Sequence, residues 1–368
     1  MAVRYSYLPQ QFKDCPELWD QLKSFVATGD FTLGKPLNEF ENAFAQLLDA
    51  KFAVGVGSGT DAIKISLRAL GIKPGDEVIT AANTFVATVG AIAEIGATPV
   101  FVDVNEMFCM DTSKIEAAIT NKTKAIVPVH FTGYMAQMDQ VMTLAESYKL
   151  KVVEDSCQSI LASYMGRKAG TWGDAGAFSL HPLKNINVWS DGGVIVTNDQ
   201  ALYDKLRLLR NHGLADRDHV ELLGFNSRLD TFQAVVGNWL LPQAVEISEK
   251  RIANAKYLDS KLREIRGIEI PERPKSLRIV YHLYSVFADF RDELLHFCIS
   301  KKVSAKVHYP IPIYKQKALQ EISGNLHFPI TDKLAGRSIS FPCDQHLERN
   351  ELDEIVGVVA NFYNNKSR

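Results

Sequence analysis

Cysteine is scarce in this chain: five residues, at positions 15, 109, 157, 298 and 343 of 368, an odd number with no CxxC pair. That spacing supports neither a disulfide framework nor a zinc site, and no metal is expected. Long apolar runs are missing too. None reaches the 18 residues that would span a bilayer, so no membrane partner is expected. Neither sign of charge is in excess, with 41 Lys and Arg against 43 Asp and Glu and a net charge of −2. A nucleic-acid partner, which leaves a basic footprint, is therefore not expected. The start, Met1-Ala-Val-Arg-Tyr, lacks the apolar core of a signal segment and reads as cytoplasmic. Internal repeats and low-complexity tracts are absent, as are the Walker and GxGxxG patterns of ATP and dinucleotide sites.

What is present is 46% hydrophobic and 23% charged, enough for a sizeable core. The length suggests two domains, one large and one small. Residues 16–26 and 36–50 read as amphipathic helices. An apolar strand over 52–56 runs into Gly57-Ser58-Gly59-Thr60, and a helix follows with Ala62, Ile63, Ser66, Leu67 and Leu70 on one face. Strands are then expected at 77–80, 99–103, 124–130 and 151–155, with helices at 86–95, 112–119 and around 138–148. This alternation implies an α/β large domain over 1–245, its mostly parallel sheet covered by helices. A smaller α+β domain is expected over 246–368. There a long helix over 233–261, interrupted at Pro242, leads to strands at 268–271, 281–287 and 305–308 and helices at 294–300 and 350–363.

Ligands of such sheets lie beyond the carboxyl ends of the strands. Phe85, His130, Asp155 and Lys184 all follow expected strand ends and should converge there, although Phe85 as core and His130 as a satisfied buried histidine remain open. The turn 57–60 makes an anion site, because free N–H groups and the helix dipole favour phosphate; a plain N-cap at Ser58 or Thr60 is the alternative. The stretch 174–193 organises the site. An apolar strand over 175–180 breaks at Pro182, presents Lys184, and closes on Gly192-Gly193 before a strand at 194–197. A lysine held in place and partly desolvated, with room beside it, is what Schiff-base chemistry needs. A solvated surface lysine is the plain alternative. Asp155 ends an apolar run and is costly to bury unless it meets a cation, such as a protonated pyridine nitrogen, or caps a helix.

With the loop 57–60, Phe85, Asp155, Phe178-Ser179 and Lys184 in this order, the chain resembles the fold-type I pyridoxal-phosphate enzymes. More narrowly, it is similar to the DegT/StrS-type sugar aminotransferases. The likeness runs from Gly34 and Glu39-Phe40-Glu41, through Asp191-Gly-Gly, Asn211-His-Gly and Gly224-Phe-Asn-Ser-Arg-Leu-Asp, to His308-Tyr-Pro-Ile-Pro. It implies pyridoxal 5'-phosphate as cofactor. Gly57, Ser58, Gly59, Thr60 and Ser179 would bind its phosphate, Phe85 its ring face, Asp155 its ring nitrogen and Gln158, where the family often has histidine, its phenolic oxygen. Lys184 would form the Schiff base and shuttle the proton, with Asp155 as its catalytic partner. Asn226 would reach the phosphate of the neighbouring subunit, which implies a homodimer with shared sites.

One branch of that family carries histidine in place of the lysine and dehydrates its substrate; Lys184, with His181 three residues earlier, implies transamination. His181, His308, Tyr309 and Tyr314 are candidate substrate contacts, the last three on a Pro-rich loop that otherwise reads as a rigid surface loop. The activity so implied is amino transfer from L-glutamate to a keto sugar, foremost a nucleotide-linked keto-deoxyhexose of surface-polysaccharide or amino-sugar biosynthesis. An octulosonate-type sugar acid as substrate and a non-catalytic, cofactor-binding regulator are the alternatives.

Overall fold

In the computed structural model, residues 2–366 are described; Met1, Ser367 and Arg368, counted in the expected domains, lie outside the described residues. In chain order the strands are β1 (Phe52–Val56), β2 (Glu77–Ala81), β3 (Thr98–Val102), β4 (Thr123–Val127) and β5 (Lys151–Asp155). Two short ones, β6 (Ser163–Tyr164) and β7 (Arg167–Lys168), precede β8 (Ala175–Ser179) and β9 (Gly193–Thr197). The C-terminal part adds β10 (Ile268–Glu269), β11 (Leu277–Arg278), β12 (Tyr284–Ala288) and β13 (Ser338–Phe341).

Seven strands form the main sheet in the order β1-β9-β8-β5-β4-β2-β3. Every neighbouring pair is parallel except those of β9, which runs antiparallel to both β1 and β8. The expected mostly parallel α/β sheet is thus present. Successive side chains of a strand point to opposite faces, and here they enter two different cores. Val78, Val127, Val153 and Ile195 pack on one face with Ile63 and Leu67 of the helix Gly59–Ala69. Ile79, Ile126, Val152 and Val196 pack on the other with Phe40 and Phe44 of the helix Lys35–Leu47. Burial on both faces is why these strands read as continuous apolar runs.

Two three-stranded sheets are antiparallel: β11-β6-β7, and the smaller sheet of the C-terminal part, β10-β12-β13. Asp103, at the end of β3, ties the main sheet to this C-terminal part. Its carboxylate accepts the Ile330 and Thr331 backbone N–H groups (3.0 and 2.8 Å) and the Thr331 hydroxyl (2.7 Å), at the start of the helix Pro329–Arg337. The N-terminal residues pack there as well. Val3 bridges to Val303, and Tyr7 N donates to Asp344 Oδ2 at 3.3 Å.

Several local expectations need correction. Residues 112–119 form two 3-10 turns, Thr112–Lys114 and Glu116–Ala118, because so short a segment with three β-branched residues cannot repay α-helix nucleation. The strand expected over 124–130 stops at Val127, since Pro128 has no N–H for a ladder. The strand expected from 281 begins at Tyr284, after Tyr281 adopts a left-handed φ of 48°. Residues 305–308 make only an isolated bridge, Lys306 to Ser340, whereas β13 was not foreseen at all.

Candidate active site

Lys184 is fixed by the loop that carries it. The Leu180 N–H donates to the Gly192 carbonyl at 2.8 Å and the Val188 N–H to the Leu180 carbonyl at 3.2 Å, which closes the loop at its base. Ile186 and Val188 are buried, and Asn185 Nδ2 donates to the Val280 carbonyl at 3.3 Å. Within this frame the Lys184 N–H donates to the His181 carbonyl at 2.8 Å and its side chain enters a cavity of about 380 Å³, within the range of small-molecule sites. Burial pushes the lysine amine's pKa down from its ordinary value, with Cys157 and Asp155 opposing. More of the amine is therefore uncharged near neutrality than in a surface lysine.

Asp155 lines the same cavity at the end of β5 and is buried. Its Oδ2 accepts the Thr88 hydroxyl at 2.7 Å and its Oδ1 the Cys157 backbone N–H at 3.1 Å. It does not cap a helix. Across the cavity, Ser58 caps the helix Gly59–Ala69 by accepting the Asp61 N–H at 3.0 Å. The first N–H groups of a helix have no partner within it, so those of Gly59 and Thr60 border the cavity as anion donors. The cradle admits no side chains at its seams. A Cβ on Gly59 would lie 2.7 Å from Ser179 Cβ and 2.8 Å from Cys157 Sγ.

Of the residues singled out in the sequence, Ser58, Gly59, Thr60, Phe85, Asp155, Gln158, Ser179, His181, Lys184, His308 and Tyr309 all line this one cavity. Phe85 is 49% exposed at its rim, its ring 5.8 Å from that of Tyr309. Gln158 accepts the Thr132 N–H on Oε1 at 2.7 Å, which leaves its amide NH2 to donate. Burial, then Lys306 and Lys184, hold the His308 imidazole down to about 4, so it stands neutral at physiological pH.

Four residues are placed elsewhere. His130 is wholly buried: its Nδ1 accepts the Ala136 N–H at 3.2 Å, so Nε2 carries the hydrogen given to Glu154 at 2.9 Å. Glu154 also accepts the backbone N–H groups of Gly170, Trp172 and Gly173, making this a satisfied structural pair beneath the sheet end. Tyr314 is buried in a separate cluster with Ile313 and Leu319, its hydroxyl on Asp332 at 2.8 Å. Gly57 lies one residue behind the cradle and donates its N–H to Ser227 Oγ at 3.0 Å. Asn226 is exposed and bridges to Asn211, outside the cavity of its own subunit.

The cavity also has a wall that sequence reasoning did not reach. Tyr5, Arg251, His282, Asp344 and Gln345 line it, brought together from four distant segments. Arg251 is pinned by hydrogen bonds to the carbonyls of Tyr281 (3.0 Å) and His282 (2.9 Å) and to Gln345 Oε1 (3.0 Å). No local pattern marks these residues. Thr84 and Thr88 were also missed, yet their spacing of four just after a strand end was a legible signal.

A sequence model of the DegT/DnrJ/EryC1/StrS aminotransferase family matches residues 15–360. The chain is 37% identical to a pleiotropic regulatory protein of Geobacillus stearothermophilus, over 99% of each chain. It is 39% identical to the UDP-N-acetyl-3-dehydro-alpha-D-glucosamine 3-aminotransferase of Acidithiobacillus ferrooxidans, over 93% of each. Among solved structures, S. venezuelae DesV in complex with a ketimine intermediate matches with a TM-score of 0.96 at 35% identity, over 98% of each chain.

Proposed function

The chain belongs to the DegT/DnrJ/EryC1/StrS aminotransferase family, and from that premise we propose that it transfers an amino group from L-glutamate to the keto group of a nucleotide-linked sugar. The family makes it a sugar aminotransferase that works with pyridoxal phosphate. The nucleotide, the donor and the residue roles below are our reading. It is carried by one observation: a partly buried lysine with a depressed pKa, a buried carboxylate and a helix N-terminus border a single cavity.

When bound, the cofactor supplies an electron sink for the pair left by the breaking Cα–H bond. The chain supplies the rest. Ser58, Gly59, Thr60 and Ser179 hold the phosphate through hydroxyls and helix N–H groups. Phe85 covers a ring face, and Gln158 donates its amide to the phenolic oxygen. Asp155 offers its remaining lone pairs to the protonated ring nitrogen. Lys184 Nζ takes the proton from the donor's Cα and returns it on the other side of the reaction, a role that its lowered pKa suits. The neutral imidazole of His308, with Tyr309 and His181, presents hydrogen-bonding groups to sugar hydroxyls. Asn226, exposed and beside Ser227, which touches the cradle, would serve the partner subunit's phosphate in a homodimer.

Incubation with glutamate and a panel of keto sugars, read by mass spectrometry, tests the substrate; a nucleotide-linked 3-keto or 4-keto hexose should gain an amine. If only a free octulosonate-type sugar acid is aminated, the nucleotide part of the proposal fails. The similarity to a protein named as a regulator favours a second reading, cofactor binding without turnover. A visible absorption band that shifts on adding glutamate would overturn that reading.

A further inference from the structure

The carboxylate of Asp155 ends a chain of hydroxyls. Thr88, in the helix Val86–Glu94, is wholly buried and donates to Asp155 Oδ2 at 2.7 Å. Thr84 Oγ1 lies 2.7 Å from Thr88 Oγ1. A threonine hydroxyl carries one hydrogen. With the Thr88 hydrogen on Asp155, the one between the threonines must come from Thr84. The chain therefore runs one way, from Thr84 to Thr88 to Asp155. Helical threonines commonly turn their hydroxyl back to the carbonyl four residues before, but Thr88 instead reaches a carboxylate 67 residues away in sequence.

The second oxygen of Asp155 is also met by a donor, the Cys157 N–H. Donors on both oxygens hold the carboxyl group in one plane. Thr84 lines the cavity, so the chain of hydroxyls runs from the cavity wall to the carboxylate. A hydrophobic side chain at position 88 would leave Oδ2 without that donor.

We propose that Thr88, backed by Thr84, is a positioning residue that fixes the plane of Asp155, so that the free lone pairs meet the cofactor's ring nitrogen. This rests on the proposed role of Asp155. The hydroxyl chain acts through the carboxylate and touches neither cofactor nor substrate at Thr88. Its effect is to hold the carboxylate where it can keep the proton on the ring nitrogen; a carboxylate free to turn would lose that contact.

The test binds pyridoxal phosphate labelled with 15N in the ring and follows its chemical shift between about pH 6 and pH 9. In the native protein the nitrogen should stay protonated throughout. In Thr88→Val the signal should move toward that of neutral pyridine, and cofactor affinity should fall about ten- to a hundredfold, the effect of losing one hydrogen bond to a charged group. Thr88→Ser should restore both. Thr84→Val should shift the signal the same way by less, and it carries the test if Thr88→Val does not fold. Asp155→Asn separates the two readings. If the nitrogen keeps its proton in Asp155→Asn, the role of Asp155 falls and this proposal with it. If it loses the proton there but keeps it in Thr88→Val, or in Thr84→Val where only that variant folds, only the present proposal is overturned.

Discussion

Gly193→Ala adds one methyl group at the seam between strand and cradle. Gly193 opens β9, where it pairs with Val56 of β1 and Ser179 of β8. A Cβ there would lie 2.3 Å from the Ser58 carbonyl oxygen, 2.4 Å from its carbon and 2.8 Å from Gly59 N. All three are backbone atoms and cannot rotate aside, so the strand or the loop must move. β9 is held by ladders on both sides, and the loop carries the donors proposed for the phosphate. Overpacking of this kind costs about 1–3 kcal/mol; falling on the loop, it would raise the cofactor Kd roughly 5- to 150-fold. Titration of the apoenzyme with pyridoxal phosphate reads that change, and thermal melting of the apoenzyme reads any general loss of fold. Gly90→Ala is the control. A Cβ at Gly90 meets nothing within 4 Å in the helix Val86–Glu94, so that variant should gain roughly 0.5–1 kcal/mol. If Gly193→Ala bound the cofactor within about twofold of the native Kd, the contact between strand and loop would not set the cradle, and 58–60 would lose its claim to the phosphate.

Lys184→Ala should abolish turnover yet retain pyridoxal phosphate without a covalent link, because phosphate, ring and Asp155 contacts remain; borohydride treatment followed by intact mass spectrometry reads the link, and normal transamination would refute the assignment. For His308, burial lowers the pKa from 6.5 to about 4, so the unfolded chain binds the extra proton first as pH falls. The stability contributed is complete above about 6.5 and is lost between 6.5 and 4, by at most roughly 3 kcal/mol. Urea melts of His308→Gln should accordingly depend less on pH than native melts across that window, and equal dependence would refute it. Co-assembly of Lys184→Ala with Asn226→Ala subunits should restore activity toward half that of the native dimer, since one site then holds both lesions and the other none. No recovery above the mean of the parents would place Asn226 within its own subunit.

The half of the cavity legible in the sequence is the half built from strand ends. Asp155, Ser179 and the loop after Val56 each sit one step past a buried apolar run, and a parallel sheet brings such positions to one edge without further information. Lys184 belongs with them, because its loop opens and closes on the ends of β8 and β9. His130 obeyed the same rule and still went elsewhere. Pro128 ends β4 early, and a buried Glu154 one residue before Asp155 supplied the stronger partner. Tyr314 shared a loop with His308 and Tyr309, but the 3-10 turn Ile313–Lys315 carries its ring into another cluster. Loop membership gives proximity in sequence and says nothing of direction.

The opposite wall, which we assign to the sugar as part of the proposed function, is harder to read in a sequence than the cradle. Tyr5, Arg251, His282 and Asp344 come from the chain's start, a long helix and two C-terminal segments, and their meeting depends on how the smaller sheet docks on the larger. Arg251 makes that dependence concrete. Its guanidinium binds carbonyls of Tyr281 and His282 and the side chain of Gln345, so it joins two segments while it borders the cavity. A change there would alter the wall's shape as well as its charge. The cradle, by contrast, is set by contacts between neighbouring strand ends and is insensitive to that docking. With the proposed roles, cofactor binding and sugar recognition have separate structural origins, and variants of Tyr5, His308 or Tyr309 should change which keto sugar is accepted before they change the affinity for pyridoxal phosphate.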